Sequence, residues 1–147
     1  MKICIIGLGY IGLPTAAVLS NAGHQIIGVD LNKKINSKIN QGAPHFEEDG
    51  LDELLSLGVQ NGNIIAQEKP EFADVFLIAV PTPLIKGNKD QFPRPDLDCV
   101  FSAVKEFSKY LRKDNLVILE STSPVGTTEK IQELLCQSSN LKKDDFY

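Results

Sequence analysis

The chain has 147 residues, of which 42% are hydrophobic and 23% charged, with a net charge of −4. A chain of that length and balance folds as one ordinary domain that buries roughly 70% of its unfolded surface, which excludes disordered, collagen-like and disulfide-stapled classes. Lys and Arg are scattered among acids, so no basic footprint for nucleic acid exists. The three cysteines, Cys4, Cys99 and Cys136, form no CxxC pair, a pattern of reduced thiols in a cytoplasmic protein rather than of a zinc site.

Lys2 to Ile6 is a β-branched run that reads as a strand ending in glycine, followed by a helix from Tyr10 to Asn21 that Gly23 stops. The uncharged stretch from Ile3 to Gly23 has the length of a signal peptide or membrane span. Gly7, Gly9, Gly12 and Pro14 interrupt it, however, and a strand, a turn and a helix use each of them, so no membrane role is expected. Gln25 to Val29 reads as the next strand, Asn32 to Gln41 as a helix closed by Gly42, and Asp49 to Leu57 as a short helix stopped by Gly58. Asn63 to Ala66 and Val75 to Val80 read as strands. The second lacks alternation, which implies cover on both faces. Pro81 to Pro95 carries four prolines and reads as a long loop of the kind that is usually functional or mobile, although its Lys86 to Pro95 part suggests no particular role. Asp96 is placed to cap a helix with Leu97, Val100, Phe101, Val104, Phe107 and Leu111 on one side and Lys105, Lys109, Arg112 and Lys113 on a solvated one. Leu116 to Leu119 reads as a strand and Val125 to Cys136 as the last helix, with Ile131, Leu134 and Leu135 inward. Strands alternating with helices predict a doubly wound, mainly parallel sheet with helices on both faces, the Rossmann type of α/β fold.

Gly7-Leu8-Gly9-Tyr10-Ile11-Gly12 fits GxGxxG directly between a strand and a helix. In that setting the first glycine permits the tight turn, the second lets the backbone approach a pyrophosphate, and the third lets helix pack on strand. The helix N-terminus offers N–H groups to the anion. Asp30 ends the next strand 18 residues beyond Gly12, where a carboxylate accepts hydrogen bonds from the adenosine ribose and repels the extra phosphate of NADP. The pair therefore indicates NAD, with Lys33 and Lys34 near enough to soften the choice. Two more segments follow strands on the edge where open α/β sheets place ligands: Val80-Pro81-Thr82-Pro83, and Glu120 to Thr128 with its crowd of hydroxyls. As plain structure, the first is a sharp exit from the sheet. The second is an elaborate helix cap with proline in the first turn.

GLGYIGLPTA, GVD, LIAVPTP, RPDLD and VILESTSPVGTTEK together resemble the cofactor domain of the UDP-glucose/GDP-mannose dehydrogenases, in order and spacing, over almost the whole chain. Their wording is nearest the UDP-N-acetyl-D-mannosamine branch. The resemblance implies a cytoplasmic enzyme, homodimeric or larger, that oxidises a UDP-sugar C6 alcohol to a carboxylate in two NAD-dependent steps and so makes an acidic precursor of surface polysaccharide. It places Gly7, Gly9, Tyr10, Ile11 and Gly12 at the pyrophosphate, Asp30 at the adenosine ribose and Val80 and Thr82 beside the cofactor. Thr122, with Ser121 and Glu120 as neighbours, falls near the nicotinamide and the reacting centre, where its hydroxyl helps hold a water or oxyanion.

That family's cysteine nucleophile, in a GxCxPKD-like setting, and its assisting lysine have no counterpart here. Cys4 lies in a core strand, Cys99 early in a helix and Cys136 late in another. The expectation is an N-terminal NAD-binding domain over residues 1–147 of a longer enzyme, inactive by itself. Two alternatives stay open: a dinucleotide-sensing regulatory module, and an oxidoreductase of the β-hydroxyacid type. His24 and His45 share no metal-binding spacing, and no metal is expected.

Overall fold

The computed structural model describes residues 1–85 and 93–147, so most of the Lys86 to Pro95 loop lies outside the described residues. Strands β1 (Lys2–Ile6), β2 (Gln25–Val29), β3 (Ile64–Gln67), β4 (Val75–Ile78) and β7 (Leu116–Leu119) form one parallel sheet in the order β3-β2-β1-β4-β7. Alternate residues of β1 feed two cores. Ile3 and Ile5 pack with helices α1 (Gly12–Asn21), α2 (Lys33–Asn40) and α3 (Leu51–Gln60) through Leu13, Ala16, Ile39 and Leu55. Cys4 and Ile6 face α4 (Asp98–Ser108) and α5 (Thr127–Ser138) through Val100, Phe107, Ile131 and Leu135. Each residue of β4 is buried, which accounts for its lack of alternation. The doubly wound parallel architecture is the one the alternation of strands and helices predicts.

The chain runs outward from β1 to β2 and β3, then returns to lay β4 on the other side of β1. Helix cover therefore changes face between β1 and β4. The crevice beyond their carboxyl ends is the topological switch point where sheets of this kind bind ligands.

Several boundaries differ from the sequence reading, and glycine explains two. Helix α3 passes through Gly58 to Gln60. A Cβ at Gly58 would stand 2.4 Å from Ser20 Oγ and 2.9 Å from Ile64 Cδ1, so this glycine lets α3 approach α1 and β3 instead of ending the helix. Helix α5 begins at Thr127 and not at Val125, because Gly126 takes φ +85° and the chain turns before it enters the helix. Helix α1 begins at Gly12, leaving Tyr10 and Ile11 in the preceding turn. The cap expected at Asp96 is displaced: Leu97 is the N-cap of α4 and brings no side-chain hydrogen bond, while Asp96 lies one residue earlier and its Oδ1 accepts from the Asp98 N–H at 2.9 Å in a turn that leads into the helix. Within the proline-rich loop, β5 (Leu84–Ile85) and β6 (Arg94–Pro95) pair as a two-residue antiparallel ribbon that the sequence reading did not foresee. The short 3-10 turn Lys143–Asp145 brings Tyr147 alongside β7, where it donates to Asn115 O at 2.9 Å and accepts from Val117 N–H at 2.6 Å.

Candidate cofactor site

The strand ends bring together the segments that the sequence singles out. Gly7 leaves β1 at φ +95°, and a Cβ there would lie 2.5 Å from Ala79 O and 3.0 Å from Val80 N. Only glycine permits both this left-handed turn and so close a passage across the end of β4. A Cβ at Gly12 would sit 1.9 Å from Gly7 O, so the third glycine lets α1 start directly on the turn that the first one makes. Gly9 differs from both, since a Cβ there meets nothing within 4 Å. Its small size preserves open space above the backbone, as a pyrophosphate requires. The N-cap residue Ile11 brings no side-chain hydrogen bond to the start of α1, so the positive end of the helix dipole faces the same opening.

Asp30 stands at the end of β2, half-buried, with both carboxylate oxygens in use. Oδ2 accepts from Leu8 N–H at 3.2 Å and Oδ1 from Asn32 N–H at 2.8 Å. It therefore braces the glycine turn and the entry to α2 together. An ionised carboxylate offers about four acceptor sites, which leaves capacity for the two hydroxyls of a ribose. The buried Asn36 side chain donates to Asp30 O at 2.8 Å and fixes the backbone from behind. Lys33, which the sequence placed close enough to soften cofactor choice, is directed at Glu68, 3.4 Å away.

The other two segments meet as well. Ser121 Oγ donates to Val80 O at 2.8 Å, and the Ser121 and Glu120 N–H groups both donate to Ile78 O, at 3.0 and 2.9 Å. Ser121 thus staples the loop after β7 to the end of β4, and its proton serves that tie. Glu120 Oε1 accepts from Thr15 Oγ1 at 3.3 Å, which connects the same loop to the first turns of α1. Thr82 is half-buried just beyond, and Thr122 is exposed next to Ser121. Thr122 does not cap α5, because the helix starts five residues later behind Gly126, and the hydroxyl that closes the turn is that of Thr127, which donates to Pro124 O at 2.7 Å. The reading of this segment as an N-terminal cap with proline in the first turn is corrected on that ground.

Tyr10 and Ile11 project from the glycine turn into solvent. The sequence reading missed the neighbour of Tyr10. The Phe46 ring lies 4.5 Å from it between centroids, with the His45 ring edge-on to Phe46 at 4.8 Å. A lone phenylalanine in the otherwise polar run His45 to Asp49 was the available signal. Burial holds His45 below the usual imidazole range, against the pull of Asp30 in the other direction. Burial likewise pushes the Cys4 thiol up to about 12, so it is inert in the core.

A glycine turn with open space over Gly9, a helix N-terminus and a carboxylate at the next strand end define a dinucleotide-binding α/β domain, and these residues fit NAD. Residues 1–147 match the family described as UDP-glucose/GDP-mannose dehydrogenase family, NAD binding domain, and the chain belongs to that family. It is 51% identical over 136 residues to the UDP-N-acetyl-D-mannosamine dehydrogenase of Campylobacter jejuni, covering 92% of this chain and 32% of that protein. It is 45% identical over 133 residues to an NDP-N-acetyl-D-galactosaminuronic acid dehydrogenase of Ralstonia nicotianae, covering 90% of this chain and 30% of that one. The solved UDP-N-acetyl-mannosamine dehydrogenase of Staphylococcus aureus superposes with a TM-score of 0.90 at 34% identity, over 100% of this chain and 35% of that one. The chain therefore spans about a third of the length of the relatives it matches. The regulatory-module and β-hydroxyacid alternatives are set aside by the family match.

Proposed function

We propose that residues 1–147 are the N-terminal NAD-binding part of a longer cytoplasmic nucleotide-sugar 6-dehydrogenase, homodimeric or larger. Its substrate is UDP-N-acetyl-D-mannosamine, and its product is the uronic acid, formed in two NAD-dependent steps as an acidic precursor of surface polysaccharide. The observation that carries this reading is the convergence of the glycine turn, Val80 to Pro83 and Glu120 to Thr122 on one crevice, in a chain 51% identical to an enzyme named for that sugar.

NAD, when bound, supplies the hydride acceptor. Gly9 and the start of α1 receive the pyrophosphate, with Tyr10 and Ile11 at its side, and Asp30 receives the adenosine ribose. Val80 and Thr82, at the carboxyl end of β4, flank the nicotinamide half. Ser121 holds its own loop to β4, so that the neighbouring Thr122 hydroxyl is presented to the crevice on a fixed backbone. There it orients a water or stabilises an oxyanion, an interaction that matters chiefly as charge develops. The nucleophilic thiol and its lysine come from the remainder of the enzyme.

The test is turnover by the longer enzyme against a panel of UDP-sugars. Reduction of two NAD per sugar with UDP-N-acetyl-D-mannosamine, and little with the N-acetylgalactosamine and glucose analogues, supports the reading. Preference for the N-acetylgalactosamine sugar would move the assignment toward relatives such as the Ralstonia nicotianae enzyme.

A further inference from the structure

Tyr10 stands on the glycine turn with 73% of its surface exposed, a position in which a long side chain ordinarily samples several rotamers. Among the described residues the ring pairs with one other aromatic ring. Phe46, 36 residues further along the chain, is tilted at 38° against it with centroids 4.5 Å apart. Phe46 is itself anchored, packing on the core formed by α1, α2 and α3. Both ends of its loop are fixed. After α2, the N–H groups of Gly42 and Ala43 donate to Ile39 O and Lys38 O at 2.8 and 3.1 Å. Before α3, Gly50 takes φ +78° and the Leu51 N–H donates to Glu48 O at 3.1 Å. The His45 ring stands at 85° to Phe46 and buttresses it from the side.

We propose that Phe46 is a positioning residue for the dinucleotide: it props the Tyr10 ring as a fixed wall of the space above Gly9. This rests on the reading of that space as the pyrophosphate site. The physical consequence is preorganisation. A Tyr10 ring already held by Phe46 loses little freedom when a ligand arrives, whereas an unsupported ring must be ordered at the ligand's expense. Tilted aromatic pairs contribute enough for the loss of either ring to weaken binding about three- to tenfold. Because both rings act as one wall, the second loss should add little to the first.

Four forms of this chain test it: unsubstituted, Tyr10→Ala, Phe46→Leu and the double variant, titrated with NAD and with ADP-ribose. Phe46→Leu keeps the apolar anchor in the core while removing the aromatic face, and Phe46→Tyr serves as the conservative rescue. The expected result is a similar several-fold loss in each single variant, no further loss in the double variant, recovery in Phe46→Tyr, and unchanged melting temperature in Phe46→Leu. ADP-ribose should follow NAD, since the wall flanks the pyrophosphate. Unaltered affinity in Phe46→Leu, or losses that add in the double variant, would overturn the proposal. So would the absence of nuclear Overhauser contacts between the two rings in the free chain, a result independent of any ligand. Failure of the unsubstituted chain to bind NAD at all would strike the dinucleotide reading itself, and is distinguished from the other outcomes because it precedes any substitution.

Discussion

Asp30 carries two loads, and the substitution Asp30→Ala separates them. Removing the carboxylate takes hydrogen-bond acceptors from the Leu8 and Asn32 N–H groups, at a cost in stability of about 1 kcal/mol, comparable to losing a helix cap. It also removes the charged acceptor for the ribose, which should weaken NAD about tenfold or more, and the repulsion of a 2′-phosphate. The gap between NAD and NADP should therefore narrow, as titration of both would show. An unchanged ratio with lowered stability would leave Asp30 as a brace alone. Thr122 presents the converse case. It is exposed and caps nothing, so Thr122→Ala in the longer enzyme should leave the melting temperature within the scatter of surface substitutions. Turnover should fall by roughly 2.7–4 kcal/mol of barrier while NAD affinity stays near normal. Normal turnover would remove Thr122 from the chemistry. Cys4 gives a pH signature. Its thiol is held up to about 12 in the fold against 9.0 when free, so the unfolded chain loses its proton first as pH rises. The resulting stability term is intact below pH 9.0 and is lost between there and about 12. Cys4→Ser should flatten the alkaline limb of a stability profile, and thiol labelling should reach exposed Cys99 while Cys4 reacts only on unfolding.

At the scale of elements, the third glycine makes the sharpest claim. Gly12→Ala would normally favour a helix, yet its Cβ would stand 1.9 Å from the Gly7 carbonyl oxygen and 3.1 Å from Ala79 Cβ. Backbone on one side cannot yield as a flexible side chain can, so the substitution should cost on the order of 3 kcal/mol. Chemical denaturation checks this, and a neutral or stabilising effect would show that α1 does not seat on the turn as described. Glycines also mark where the sequence was and was not legible. Strands β1, β2 and β7 agree with the reading to the residue, because short β-branched and leucine-rich runs between glycine or polar breaks have little other use. Gly58 misled it, since a glycine required for close helix packing looks the same in sequence as one that ends a helix. Gly126 misled it too, since a proline and a run of hydroxyls read as a helix start whether or not a left-handed residue intervenes. The glycine turn and Asp30 were legible because their chemistry is local. The contact of Tyr10 with Phe46 and the tie from Ser121 to Val80 were not, because each joins segments that only the completed sheet brings together.

For the molecule as a whole, the parallel sheet is a platform whose carboxyl edge gathers the segments of the candidate cofactor site. The second α/β core, around Phe76 and Phe107, whose rings stack at 4.7 Å, keeps β4 and its following loop in register with β1. Among the described residues, no helix is long and apolar enough to cross a membrane. Under the proposed function, this chain binds NAD weakly and oxidises nothing by itself, because it carries the cofactor turn while that proposal assigns the thiol and most of the sugar site to the rest of a longer enzyme. The most direct measurement is calorimetric titration of residues 1–147 with NAD and then NADP, each at millimolar concentration, followed by addition of UDP-N-acetyl-D-mannosamine while NADH absorbance is recorded. One NAD bound per chain, clearly weaker NADP binding and no NADH are the expected results. No heat with NAD, equal affinity for both cofactors, or NADH formed by this chain alone would contradict an NAD-binding domain that depends on the rest of its enzyme for catalysis.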